Sequence, residues 1–474
     1  MTKPAATPPQ LPRIRTGVPG LDEVTGGGFL QSGVYIFQGA PGAGKTILAN
    51  HIVHAHAAAG GRVVYVTLLA ESHARLLQHM GGFSFFEVSA VPEKVYYVSA
   101  FNALRSEGLP GVVALLRSEM RSRKAGIVVL DGLVMAASAA ASDEELKVFV
   151  SDIQAHSTLT GSTTLLLTSE HADRPVSAEQ TMVDGILLLR ERALGPRRQR
   201  NIEVVKFRGS STLRGNHAFR IGPRGIEVYP RLEAAQGRQN YGDAVRSEGV
   251  PTGVPGIDRM FSIGGYAKGG VTALSGPSAS GKTTLVLHWL AGAGPREKTV
   301  FLGFYESPEL LAHMAEVLGL DAARVLASGD VDFMWYPFGE NQIDEVAAAL
   351  LERVDRTGAR RVVIDGAGGF LAAPGFQERG GPFLAALMNE LRRRGVTTVA
   401  TVEQQDATRA LVLDSATMSA LADTVVDLHL DRGQAVRRFI SIRKSRVSRS
   451  ELRRHELILG AAGLEVLEED RLAP

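Results

Sequence analysis

The stretch Gly39-Ala40-Pro41-Gly42-Ala43-Gly44-Lys45-Thr46 follows an apolar run, Val34 to Gln38, and leads into a helical pattern, Ile47 to Ala58. Strand, G-x-x-x-x-G-K-[ST] loop and helix in that order form a phosphate cradle. The glycines let backbone N–H groups approach a phosphate chain, Lys45 offsets β/γ charge, and Thr46 can ligate Mg2+. The helix adds the partial positive charge of its first turn. The pattern returns at Gly276-Pro277-Ser278-Ala279-Ser280-Gly281-Lys282-Thr283, followed by Thr284. A purely structural turn is the plain alternative for either copy alone. A strand and a helix flank both, which favours nucleotide binding, with ATP and Mg2+ as the implied ligands.

The recurrence extends well beyond the loop. Thr16-Gly17-Val18-Pro19-Gly20-Leu21-Asp22 reappears 236 residues later as Thr252-Gly253-Val254-Pro255-Gly256-Ile257-Asp258. Asp131 and Lys206 have counterparts at Asp365 and Lys444, nearly the same distance on. A unit of about 235 residues is therefore duplicated, which excludes a solenoid of short repeats. We expect a loose arm over 1–12, a first domain over 13–235, a polar linker over 236–248 and a second domain over 249–474.

Short β-branched runs alternate with helical patterns in each half. They are Val34 to Gln38, Arg62 to Leu68, Ile127 to Leu130 and Thr163 to Thr168, then Val271 to Ser275, Thr299 to Phe304, Arg361 to Ile364 and Thr397 to Thr401. Both halves close in antiparallel-looking strands, Ile202 to Phe207 with Ala218 to Ile221 and Arg437 to Ile442 with Glu456 to Leu459. The fold class is α/β, a mostly parallel twisted sheet flanked by helices, twice.

With 45% apolar residues in 474 the chain has material for two cores, which excludes disorder as its main state. The 52 Lys+Arg nearly balance the 50 Asp+Glu, which argues against a surface built throughout to hold a polyanion. The absence of cysteine removes disulfides, thiolate catalysis and Cys-ligated zinc. No apolar run is long enough to span a bilayer and the N-terminal stretch lacks a signal-peptide core, so a soluble cytoplasmic protein without membrane contact is expected.

A P-loop needs an acidic residue at the end of a neighbouring buried strand to hold the metal. Ile127-Val128-Val129-Leu130-Asp131 and Val362-Val363-Ile364-Asp365 supply one each, followed by glycine. Glu71 and Glu306 lie just past the second strand of each half, in Ala70-Glu71-Ser72 and Tyr305-Glu306-Ser307. Each is either a water-orienting carboxylate or a helix-start carboxylate favoured by the dipole.

Tandem P-loops, the TGVPG[LI]D opening, the Asp-Gly strand ends and Glu-Ser after the second strand together resemble the KaiC family of the RecA superfamily. The resemblance covers about residues 13 to 467. It implies RecA-like cores, two ATP sites per chain and a homo-hexameric double ring with nucleotide between subunits. It also implies slow Mg-dependent hydrolysis coupled to assembly and to an unidentified signalling partner. In that family a Lys-x-Arg on a late strand reaches the neighbour's nucleotide, which points to Lys206 with Arg208 and to Lys444 with Arg446. A solvated charge on a strand edge is the alternative reading.

Departures qualify the resemblance. Relatives carry two adjacent glutamates where this chain has Ala70-Glu71 and Tyr305-Glu306, so binding can outlive catalysis, leaving a nucleotide-dependent clamp. The Ser-Thr pair of the family's autokinase aligns with Ser419-Ala420, leaving Ser419 as the candidate phosphoacceptor, with Thr417 nearby. Clock-type relatives have a longer tail for a regulatory partner, so regulation by that partner is not expected. A basic run, Arg437, Arg438, Arg443, Lys444, Arg446, Arg449, Arg453 and Arg454, fits intersubunit or phosphate contacts better than nucleic acid, because no aromatic platform interleaves it. His51, His54 and His56 lack the pattern of a metal site.

Overall fold

Successive residues of the first apolar run go to opposite sides of one sheet. Tyr35 and Phe37 join a core with Leu48 and Ile52 of the following helix, while Val34 and Ile36 join a second core with Val112, Leu116 and Phe149. A sheet buried on both faces needs continuous apolar strands, which is why these runs show no polar alternation.

The computed structural model describes residues 11–68, 73–169, 178–194, 197–235, 247–337, 341–373, 376–404, 419–433, 435–460 and 463–467. The chain divides into two compact units, Met1–Ala235 and Gln236–Pro474. In the first, the strands are β1 (Val34–Gly39), β2 (Val63–Thr67), β3 (Val95–Ser99), β4 (Ile127–Asp131), β5 (Thr163–Thr168), β6 (Gly185–Leu194), β7 (Arg197–Phe207), β8 (His217–Gly222) and β9 (Gly225–Tyr229). They form one nine-stranded sheet, ordered β9-β8-β7-β6-β1-β5-β4-β2-β3. Strands β1 to β6 run parallel, and β7 to β9 continue antiparallel.

The second unit repeats this order with β10 (Val271–Gly276), β11 (Thr299–Gly303), β12 (Val331–Trp335), β13 (Arg361–Asp365), β14 (Thr397–Glu403), β15 (Thr424–Arg432), β16 (Val436–Ser445), β17 (His455–Gly460) and β18 (Gly463–Val466). Helix α1 (Lys45–Ala58) follows the first loop and α2 (Lys282–Leu290) the second. Three strands per unit go beyond the sequence reading: the edge strands β3 and β12, the long β6 and β15, and the last hairpin strands β9 and β18. The sequence-expected pairing of Ile202 to Phe207 with β8 is shorter than expected. Strand β8 covers only Arg200–Ile202, and Glu203–Phe207 pairs with β6 alone.

The TGVPG[LI]D motif anchors the loop helix. Thr16 gives its backbone N–H and hydroxyl to Asp22 Oδ1, at 2.8 and 2.7 Å, and Thr252 N–H reaches Asp258 Oδ1 at 2.7 Å. A Cβ on Gly17 would lie 2.3 Å from Ala55 Cβ of α1, and one on Gly253 2.3 Å from the His288 carbonyl of α2.

Candidate functional site

Each loop sits at the carboxyl end of a central parallel strand, where crossover connections leave a crevice. Gly42 and Gly44 have φ of +80° and +102°, the left-handed region in which backbone N–H groups turn into a concave nest. In the second loop Gly281 keeps this conformation, but Ala279 stands where the first loop has Gly42, at φ +65°. Gly39 and Gly276 serve packing. A Cβ there would lie 2.2 Å from the Leu189 carbonyl and 2.6 Å from the Leu428 carbonyl, on the adjacent strands β6 and β15.

The loop lysines fold back over their own cradles. Lys45 Nζ donates to the carbonyls of Gly39 and Ala40 at 2.7 and 3.0 Å, and Lys282 Nζ to those of Gly276 and Pro277 at 2.9 and 2.8 Å. Burial lowers both pKa values; Asp131 opposes this for Lys45, and Glu403, then Asp365 and Glu306, for Lys282. Both ammonium groups are therefore held near carbonyl oxygens that a phosphate oxygen would outcompete.

The strand-end aspartates come to the loop threonines by two routes. In the first unit, Thr46 Oγ1 and Tyr65 Oη donate to Asp131 Oδ2 at 3.2 and 2.8 Å. In the second, Phe301 replaces Tyr65 in register, and Thr401 Oγ1 donates to Asp365 Oδ1 at 2.5 Å while accepting from Gly366 N–H at 2.7 Å. Asp365 Oδ2 is buried and makes no hydrogen bond; the Thr283 hydroxyl stands near it and favours its charged form. A buried carboxylate oxygen without a donor, beside a threonine hydroxyl, fits a hard divalent cation. Thr46 with Asp131, and Thr283 with Asp365, are the residues that would hold it.

Of the water-orienting candidates, Glu71 lies outside the described residues, as do Ala70 and Thr417. Glu306 is half-buried and lines a cavity of about 490 Å³ with Lys282, Thr283, Thr284 and Asp365. Tyr305, in place of the family's first glutamate, lies against Gly366, where a Cβ would come within 2.1 Å of its ring. Two charged cavity residues were not singled out as site residues by the sequence reading, Glu403 at the end of β14 and Arg438 on β16, whose Nε donates to the Ala279 carbonyl at 3.2 Å. Glu403 could have been found, because it closes the strand after the aspartate strand. Arg438 was hidden in a run of arginines.

The basic pairs stand elsewhere. Lys206 is opposite Ile186, near the start of β6, whereas the loop lies beyond Leu189 of the same strand. Lys206 Nζ donates to the carbonyls of Gln180 and Thr181 at 3.1 and 3.0 Å, and Arg208 to those of Met182 and Thr181 at 3.4 and 3.5 Å. The second unit matches: Lys444 Nζ bonds the carbonyls of Ser419 and Ala422, and Arg446 bonds that of Ala420 at 3.0 Å. In both units a register shift immediately precedes the lysine, so a bulge re-aims it. Neither pair is brought to the loop of its own unit. Ser419 shares the remote end with Lys444.

Part of the remaining basic run is spent locally: Arg437 pairs with Glu456 and Arg443 with Asp427. Arg454 lies over the Phe439 ring at 4.1 Å. Of the histidines, His51 accepts from Ile226 N–H and His54 from Glu87 N–H, and no metal-binding cluster exists among the described residues. No helix among the described residues is long and apolar enough to cross a membrane.

The sequence model of the family described as "ATPase: KaiC" matches residues 14–233 and 250–471. The chain is 26% identical over 340 residues to a circadian clock oscillator protein KaiC of Parasynechococcus marenigrum, covering 68% of this chain and 64% of that one. It is 27% identical over 347 residues to the circadian clock oscillator protein KaiC 1 of Synechocystis, covering 66% and 62%. A circadian clock protein KaiC3 of Synechocystis is 24% identical over 426 residues, 82% of this chain and 81% of that one. The match thus spans just under two-thirds of the first two relatives and most of the third. With two α/β units of one strand order and a P-loop in each, this chain belongs to the KaiC family of ATPases.

Proposed function

We propose that the chain binds Mg·ATP at both loops, hydrolyses it slowly and uses occupancy to drive assembly into a homo-hexameric ring read by a protein partner. The observation that carries this reading is the repeated pairing of a loop lysine and threonine with a strand-end aspartate, Lys45, Thr46 and the half-buried Asp131, then Lys282, Thr283 and the buried Asp365. The metal, when bound, would neutralise charge on the transferring phosphate. The protein's part is to seat the phosphates on the loop N–H groups, place the ammonium beside them and exclude bulk water. The remote placement of Lys206 with Arg208 and of Lys444 with Arg446 supports a role at a neighbour's nucleotide, where a cation supplied in trans links chemistry to assembly.

Calorimetry with Mg·ATP tests the binding step. The wild-type chain is expected to take up two nucleotides, and Lys45→Ala one, with the second site still loaded. Unchanged stoichiometry in Lys45→Ala would remove Lys45 from the first site. Timed phosphate release with and without DNA, together with native mass in ATP and ADP, separates a ring ATPase from a DNA-stimulated one and from a silent scaffold. A second reading, serine autokinase, is favoured by Ser419 standing beside Lys444 at the end proposed to face a neighbour. It requires γ-phosphate label on Ser419 that disappears in Ser419→Ala.

A further inference from the structure

The second unit places a third carboxylate nearer its loop than the one at Glu306. Glu403 is the last residue of β14, which lies between the loop strand β10 and the aspartate strand β13, and its register partner is Gly276. Glu306 follows β11, three strands from β10. At about 4.8 Å per strand, Glu403 starts roughly 5 Å from the loop strand and Glu306 roughly 14 Å. Glu403 stands two residues after Thr401, the group that holds Asp365, so both emerge on one face of the sheet. It lines the same cavity as Lys282, Thr283 and Asp365. It is half-buried and makes no hydrogen bond or ion pair among the described residues. Of the three carboxylates its charge acts most on the Lys282 ammonium.

Resting on the Mg·ATP reading above, we propose that Glu403 is the catalytic carboxylate that orients the attacking water at the second loop. It takes the place left by the family glutamate that Tyr305 replaces. A fixed negative charge beside a triphosphate weakens binding through like-charge repulsion, so a carboxylate there opposes affinity and is accounted for by turnover. In the step, the water oxygen bonds to the γ-phosphorus. The bond from that phosphorus to the β–γ bridging oxygen breaks, and its electron pair leaves with ADP. The water proton passes to the Glu403 carboxylate and from there to solvent. The first unit has Ser169 after Thr168, at the position corresponding to Glu403, so the two loops differ in the residue that follows this strand position.

The test uses the full chain in a Lys45→Ala background, which leaves the second site to be read alone. Phosphate release and the calorimetric affinity for Mg·ATP are measured with and without Glu403→Gln. We expect turnover to fall about 100-fold, the range of a lost general base, with affinity unchanged or tighter. Glu403→Asp, which keeps the charge one methylene short, should fall between. Turnover within twofold of the background overturns the role of Glu403 and leaves the function standing. So does a parallel loss of affinity and turnover, which marks a structural residue. ATP bound without any turnover in the background overturns the inference but not nucleotide binding, and no ATP bound overturns both.

Discussion

Asp365 is 4% exposed, and burial pushes its carboxyl up to about 6, with the Glu306 charge adding and the Thr401 hydroxyl opposing. In the unfolded chain it titrates near 3.8, so between about 4 and 6 the folded state holds the proton more tightly and stability falls as pH rises. A two-unit shift corresponds to a penalty on the order of 3 kcal/mol above pH 6, which cation and nucleotide binding would offset. Asp365→Asn is therefore expected to stabilise the nucleotide-free protein by about 1–3 kcal/mol at pH 8 and by nothing near pH 4, while abolishing the stabilisation Mg·ATP gives the second site. Melting curves at the two pH values check this; an equal change at both would show that the carboxyl is not carrying the penalty. The aspartate was legible because it closes an apolar strand. Its supporting donor was not, because Tyr65 with Leu167 in one unit becomes Phe301 with Thr401 in the other. That exchange conserves a bond to the carboxylate while moving it to a different strand, which only the register reveals.

The closing hairpin of each unit packs against the glycine-rich loop and is tied to the loop helix by a neutral histidine. His51 Nδ1 accepts from Ile226 N–H at 3.3 Å, and His288 Nε2 accepts from Leu464 N–H at 2.8 Å. Burial lowers both pKa values, which keeps the acceptor nitrogens unprotonated at neutral pH. The glycine before each donor has φ of +94° at Gly225 and +89° at Gly463, and a Cβ on Gly463 would stand 2.2 Å from His288 Nε2. Gly463→Ala is expected to cost about 2–3 kcal/mol and to weaken ATP binding at the second site alone. The control, Gly358→Ala at φ +66° with open space around it, should cost only the ~1 kcal/mol of a left-handed alanine. Urea unfolding and nucleotide stoichiometry read the two effects; equal costs would mean that the histidine contact is not what fixes the glycine. The central strands were readable as unbroken apolar runs, whereas β6 and β15 carry charged residues along their outer halves and β3 and β12 are half-covered edges. Their apolar pattern is diluted, and it is tertiary pairing that makes them strands.

At the scale of the molecule, duplication gives two loops at one end of their sheets and two basic pairs at the other. In the proposed ring, a cradle at one end of a sheet and a basic pair at the other would be brought together by copies arranged head to tail, because heterologous contacts close into rings. This geometry predicts complementation. Lys45→Ala removes the cradle lysine, and Lys206→Ala with Arg208→Ala removes the cation for the next subunit, so in a Lys282→Ala background each variant alone should release phosphate at least tenfold more slowly than that background. Mixed one to one and allowed to reassemble, about one interface in four joins an intact cradle to an intact basic pair, and about a quarter of the rate should return. Phosphate release across a mixing series, with native mass to confirm exchange of subunits, provides the measurement. If Lys206 and Arg208 acted within their own chain, mixing would restore nothing, since every chain would carry a lesion in its own site.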